Sequence, residues 1–199
     1  MTFAVFASGY GSNLQAIINA VKSKKIKAKL ALVIADRADA YALRRAKKAK
    51  VPAVFIDPKL YADREAFDRH AVGLLRKANV DVVVLAGFMR ILSGYFIKEY
   101  RNKILNIHPS LLPAFKGAHA IKDAFDYGVK VTGVTVHIVD EQMDNGPIIL
   151  QEPLPVRSKD TLAQLTAKIH RLEHKVYPHT IDLFIRGKCT ISGRKVIVG

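Results

Sequence analysis

Over its first hundred residues the chain alternates short, almost wholly apolar runs with segments of helical period. Residues 3–7, 30–35, 53–56 and 80–86 are rich in valine and isoleucine and show no inward–outward alternation, so each strand must be covered on both faces. Between them, residues 13–23, 40–49 and 63–78 carry helix-like spacing. Strands buried on both sides, each followed by a helix, specify an α/β fold: a Rossmann-like, mostly parallel sheet with helices on both faces. Ligands of such sheets bind beyond the carboxyl ends of the strands, where the strand order reverses.

Beyond residue 100 the pattern changes. A strand at 103–107 runs into a proline-containing loop at 109–117 and a short helix at 119–127. Two further strands, 132–139 and 147–151, flank the charged turn DEQMDNG as a hairpin or mixed-sheet pair. A long helix at 161–185 contains Pro178, expected to kink or break it, and CTISGRKVIVG reads as a small hairpin turning at Ser192 and Gly193. With 199 residues and no linker, repeat or low-complexity segment, a single domain spanning 1–199 is expected.

No apolar run approaches the length of a membrane span, and the N-terminal residues lack the basic region of a signal peptide. The single cysteine, Cys189, excludes an intrachain disulfide and the metal patterns built on cysteine pairs; a cytoplasmic location is expected. The net charge of +15 raises nucleic acid or small polyanions as partners. Its lysine and arginine clusters lie on helix faces without interleaved aromatics, which reads as a solvated surface and not as a specific nucleic-acid platform.

The first apolar run ends in GYGSNLQAI, Gly9 to Ile17. A strand that turns through glycines into a helix start presents unpaired backbone N–H groups, a cradle for an anion. Gly9 and Gly11, with Asp36 ending the next strand, approach a dinucleotide fingerprint, but Leu14 occupies the place of its third glycine. Ser12 and Asn13 add a hydroxyl and an amide, which suits a phosphate monoester; a plain glycine turn with a helix cap would look the same.

In ILNIHPSLLP, strand alternation puts Asn106 and His108 on one face, and Pro109 ends the strand just beyond them. An amide donor beside an imidazolium suits an oxyanion forming at a carbonyl carbon, while a histidine satisfied by loop backbone is the alternative. Asp140, Glu141 and Asp144 place three carboxylates in one loop, and a carboxylate beside His108 favours the charged ring; an acidic turn is the alternative. His170, Glu173 and His174 spell H-x-x-E-H, a zinc-peptidase spacing, but no third ligand follows and zinc is not expected. Glu173 remains a hydrogen-bond acceptor for a substrate.

SGYGSNLQAI, DVVVLAGFMRIL, LNIHPSLLP and DNGPIILQ occur in this order, and through them the chain resembles the phosphoribosylglycinamide formyltransferase family over almost its whole length. The resemblance implies the formyltransferase fold, with a phosphate-binding βαβ region in about 1–100 and a catalytic and folate-loop region in about 101–199. It implies transfer of the formyl group of 10-formyltetrahydrofolate to the amine of glycinamide ribonucleotide in purine biosynthesis, with no metal, by a monomer or homodimer. Gly11, Ser12, Asn13 and Glu173 match the ribonucleotide site. Arg64, Met89, Arg90, Ile91, Leu92 and Asn106, with the loop Asp140, Glu141, Gln142, Met143 and Asp144, match the folate site. Asn106, His108 and Asp144 match the catalytic residues.

Tyr10 and Asn145 depart from the family pattern: Tyr10 is expected to narrow the mouth of the phosphate loop, and Asn145 to accept the backbone angles of its turn. The role of His170 does not follow from its position. A methionyl-tRNA formyltransferase and a formyltetrahydrofolate deformylase share the HPSLLP region and remain the alternatives, but both usually carry a further domain. A folate- or nucleotide-binding protein without turnover is the non-enzymatic alternative.

Overall fold

The computed structural model describes residues 1–199. Its first half is β1 (Thr2–Phe6), α1 (Ser12–Lys22), β2 (Lys29–Ala35), α2 (Tyr41–Lys48), β3 (Ala53–Phe55), α3 (Arg64–Lys77), β4 (Val82–Leu85) and α4 (Gly94–Glu99). The second half is β5 (Ile104–His108), α5 (Ala120–Tyr127), β6 (Val131–Ile138), β7 (Ile148–Pro155), α6 (Leu162–Ile185), β8 (Cys189–Ser192) and β9 (Lys195–Val198). One sheet contains all nine strands in the order β3-β2-β1-β4-β5-β6-β7-β9-β8. Strands β1 to β5 are parallel, β6 is antiparallel to both β5 and β7, and the β8–β9 hairpin joins β7 through a single parallel pairing, Ile148 to Lys195.

Alternate strand residues feed two cores. Phe3, Val5, Val33, Val84 and Leu105 pack under α1, α2 and α6, while Ala4, Phe6, Ile34, Val83 and Ile104 pack under α3 and α4. That two-sided burial is why these strands read as continuous apolar runs. Strand order reverses at β1, which has β2 on one side and β4 on the other. The loops leaving β1 and β4 are stitched together there: Ser8 N–H donates to Gly87 O at 3.0 Å, and Met89 N–H donates to Ser8 Oγ at 2.9 Å.

Of the kink or break expected at Pro178, the break does not occur: helix α6 runs on through it. Proline removes one N–H and crowds the preceding turn, but Val176, Tyr177 and Ile181 are buried around it, and Thr180 Oγ1 donates to Val176 O at 2.9 Å. Tyr177 fixes the helix to the sheet, its hydroxyl reaching Leu85 O at 2.7 Å and Leu105 O at 3.0 Å. Two elements exceed the sequence expectations. Helix α4 is a single capped turn, Ser93 Oγ accepting from Phe96 N–H, and β7 continues to Pro155. No helix is long and apolar enough to cross a membrane.

Candidate active site

Asn106 and His108 lie on β5 at its carboxyl end, and β6 brings a third polar side chain beside them. The register pairs Asn106 with His137. Asn106 Nδ2 donates to His137 Nε2 at 3.2 Å, and His137 Nδ1 donates to Ile138 O at 2.9 Å. Burial holds the His137 ring below its usual pKa, so the neutral ring serves as an acceptor that orients the Asn106 amide. His137 is buried in β6, and the sequence reading missed it.

His108 is 4% exposed. Its Nε2 donates to Phe115 O at 2.7 Å, and its Nδ1 lies 3.4 Å from Asp144 Oδ2. Each ring nitrogen therefore has an oxygen beside it, the Phe115 carbonyl at hydrogen-bond distance and the Asp144 carboxylate farther off. Asp144 is itself held, Oδ2 accepting from Gly117 N–H at 2.9 Å. It is Asp144, with φ 50°, and not Asn145, that adopts the left-handed backbone in this turn. Aspartate tolerates that region better than most residues. Asn145 instead accepts from Lys116 Nζ at 3.1 Å through its side chain. The following Gly146 has no room for a Cβ, which would meet Ile138 O at 1.8 Å.

These groups open onto a cavity of about 240 Å³ between the 86–92 loop and the 140–144 loop. Met89, Arg90, Ile91 and Leu92 form one wall, and Asp140, Glu141, Gln142 and Met143 form the other. Met89, Ile91 and Met143 are exposed apolar side chains, whereas Leu92 is buried. The combination of apolar sides and an Asn–His–Asp floor suits a flat, partly polar ring system.

A second cavity of about 640 Å³ lies over the start of α1 and is lined by Gly11, Ser12, Asn13, His170 and Glu173. Gly11 caps α1 from the left-handed region at φ 70°, and an added Cβ would sit 2.9 Å from Ala42 Cβ. Asp36, Arg37, His119 and Lys122 also line this space. Gly87, Met89, Ile107, Pro109 and Ala118 belong to the walls of both cavities. The glycine loop and the His108 region thus line two separate cavities that have these five wall residues in common.

The model of the formyl transferase family matches residues 1–181. The chain belongs to the formyl transferase family. It is 45% identical to the phosphoribosylglycinamide formyltransferase of Bacillus subtilis (strain 168), over 90% of this chain and 92% of that one. The enzyme of the same name from Escherichia coli (strain K12) is 43% identical over 94% of this chain and 89% of that one. The crystal structure of glycinamide ribonucleotide transformylase 1 from Symbiobacterium toebii superposes with a TM-score of 0.97 at 46% identity, covering 100% of this chain and 93% of that one.

Within this formyl transferase fold, Glu173 projects from α6 and is 5% exposed. It accepts from Asn13 Nδ2 at 3.0 Å, tying the long helix to the glycine loop. Burial pushes its carboxyl up to about 7, against a smaller lowering by the Asn13 hydrogen bond. His170 and His174 share its helix, but the H-x-x-E-H residues form no group suited to a metal ion. Arg64, expected at the folate site, stands on the first turn of α3 outside the walls of both cavities. The buried Asp68 carboxyl of the same helix accepts from Ser93 N–H at 2.6 Å; burial raises its pKa, while the Ser93 hydrogen bonds and then the Arg90 and Arg64 charges lower it. Arg90 also stacks on Phe67, 4.7 Å from the ring centroid. Tyr10 lines the cavity over the start of α1 as an exposed side chain.

Proposed function

We propose that the protein transfers the formyl group of 10-formyltetrahydrofolate to the amine of glycinamide ribonucleotide, a step of purine biosynthesis. The observation that carries this reading is the partition shared by the two cavities. A phosphate bound at Gly11 to Asn13 anchors one end of a ribonucleotide, and the pterin of a reduced folate fits between the Met89–Leu92 and Asp140–Asp144 walls. The amine and the formyl carbon then meet beside His108. Tethering both reactants at one partition converts a bimolecular encounter into an oriented one.

In the reaction the amine nitrogen attacks the formyl carbon, whose oxygen becomes an oxyanion. Asn106 keeps one amide N–H on His137 and has a second to offer that oxygen. The Nδ1 side of His108 is its loosely held side, with Asp144 at 3.4 Å, whereas Nε2 is tied to Phe115 O at 2.7 Å. Nδ1–H is therefore the group that turns to the oxyanion, and Asp144 holds the ring charged. Collapse of the intermediate breaks the bond from carbon to the folate nitrogen. The attacking amine loses a proton, the folate nitrogen gains one, and Asp144 assists that movement through water.

The test is turnover of 10-formyltetrahydrofolate with and without glycinamide ribonucleotide. Tetrahydrofolate release that requires the ribonucleotide supports transfer. Equal release without it identifies a deformylase, and binding of both ligands without release identifies a binding protein.

A further inference from the structure

The outer side of the phosphate loop carries an arginine that the catalytic scheme does not use. Arg45, on α2, donates from Nε to Tyr10 O at 2.9 Å and from Nη1 to Gln15 Oε1 at 3.1 Å. Its guanidinium carbon lies 4.5 Å from the Tyr10 ring centroid and 4.8 Å from that of Tyr41, and the two rings are parallel within 11°. Ala42 N–H donates to Gly9 O at 3.2 Å, so α2 meets the loop at consecutive residues.

In a trans peptide the carbonyl and the next N–H point in opposite directions. A donor that holds the Tyr10 carbonyl outward therefore aims the Gly11 N–H inward. The Gly11 N–H makes no hydrogen bond within the protein, and Gly11 lines the cavity over α1. Tyr10 is 69% exposed and Tyr41 44% exposed. The cluster is thus a surface device whose removal opens no core, and its loss has little reason to unfold the protein.

We propose that Arg45 is a positioning residue for the bound phosphate monoester: it fixes the Tyr10–Gly11 peptide from outside the cavity, so that the Gly11 N–H is preset toward the anion. This rests on the reading that residues 9–13 take the ribonucleotide phosphate. Arg45 does not line either cavity and acts through the loop. Tyr10 supplies the ring against which the guanidinium is held.

The experiment compares Arg45→Met, Arg45→Lys and Arg44→Met in the full chain. It measures steady-state constants for both substrates, binding of inorganic phosphate by calorimetry, and thermal melting. Arg44 is the control, an arginine of the same helix that makes no hydrogen bond to the loop. Arg45→Met should raise the ribonucleotide KM and the phosphate Kd about tenfold, the size expected for losing a charge-assisted hydrogen bond. The kcat, the folate KM and the melting temperature should stay near the parent values, and Arg45→Lys should recover part of the loss by restoring a donor. Unchanged phosphate binding in Arg45→Met overturns the inference. So does an equal effect in Arg44→Met, which assigns the effect to general charge, and so does a parallel fall in kcat and melting temperature, which assigns it to structure. If the parent protein turns over without the ribonucleotide, the proposed function fails, and the inorganic phosphate series still decides the role of Arg45.

Discussion

One carboxylate oxygen, Asp144 Oδ2, lies 3.4 Å from His108 Nδ1 and accepts the Gly117 N–H at 2.9 Å. The backbone N–H fixes where the charge sits, and the imidazole ring lies against it. Asp144→Asn preserves the left-handed turn, since asparagine tolerates that region, but removes the charge that favours the imidazolium. The expected result is a loss of about 10²-fold or more in kcat. Ribonucleotide binding and the circular-dichroism spectrum should remain near those of the parent. A variant that loses ribonucleotide affinity with kcat intact would move Asp144 out of the reaction.

Asn106 and His137 form a different kind of pair, because His137 is buried, neutral and an acceptor. Asn106→Ala removes a donor aimed at the developing oxyanion and should lower kcat by about 10²-fold. His137→Phe leaves that donor present but unoriented and should cost less. Since His137 acts through Asn106, the double variant should lose no more than Asn106→Ala alone. Additive losses in this cycle would show that His137 has its own contact with the reacting atoms.

Gly11→Ala tests the cradle sterically. The new Cβ would lie 2.9 Å from Ala42 Cβ at a residue with φ 70°. The expected destabilisation is about 1–3 kcal/mol in urea unfolding, with a raised ribonucleotide KM. Parent-like stability would mean that α2 moves away from the loop without cost.

Most of the fold could be read from the sequence because parallel strands covered on both faces leave an unmistakable apolar run, as at Val82–Leu85. Helix α4 could not, since one turn of six residues carries too little periodicity to register. Where a kink or break was expected, α6 does not break at Pro178 because its burial against the sheet outweighs one lost hydrogen bond, a tertiary effect that no local window contains. Asn106 and His108 were visible together because they share one strand. His137 was not, because its partnership depends on the β5–β6 register, and nothing in GVTVHIVD marks the histidine as facing an amide 31 residues away. Asn145 was expected to accept the backbone angles of its turn, but the positive φ there lies at Asp144, whose carboxylate sits against His108.

Glu173 should leave a signature in stability against pH. Its folded pKa is about 7, raised mainly by burial from an ordinary 4.5. Below the ordinary value both states hold the proton. As pH rises from about 4.5 to about 7, the unfolded chain releases its proton while the folded chain retains it, so this group lowers stability progressively, and above that window the slope vanishes. The full penalty is on the order of 3 kcal/mol. Glu173→Gln should abolish that slope in urea unfolding measured from pH 4.5 to 7. The same slope in the variant would mean that another group titrates there.

The central claim is that a formyl group passes directly from folate to an amine across the partition beside His108, and an isotope label follows it most directly. With 10-formyltetrahydrofolate carrying ¹³C in the formyl group and equimolar glycinamide ribonucleotide, carbon NMR should show the label moving to a formamide resonance on the ribonucleotide, in step with tetrahydrofolate release. Label appearing as free formate, with the ribonucleotide unconsumed, would contradict it.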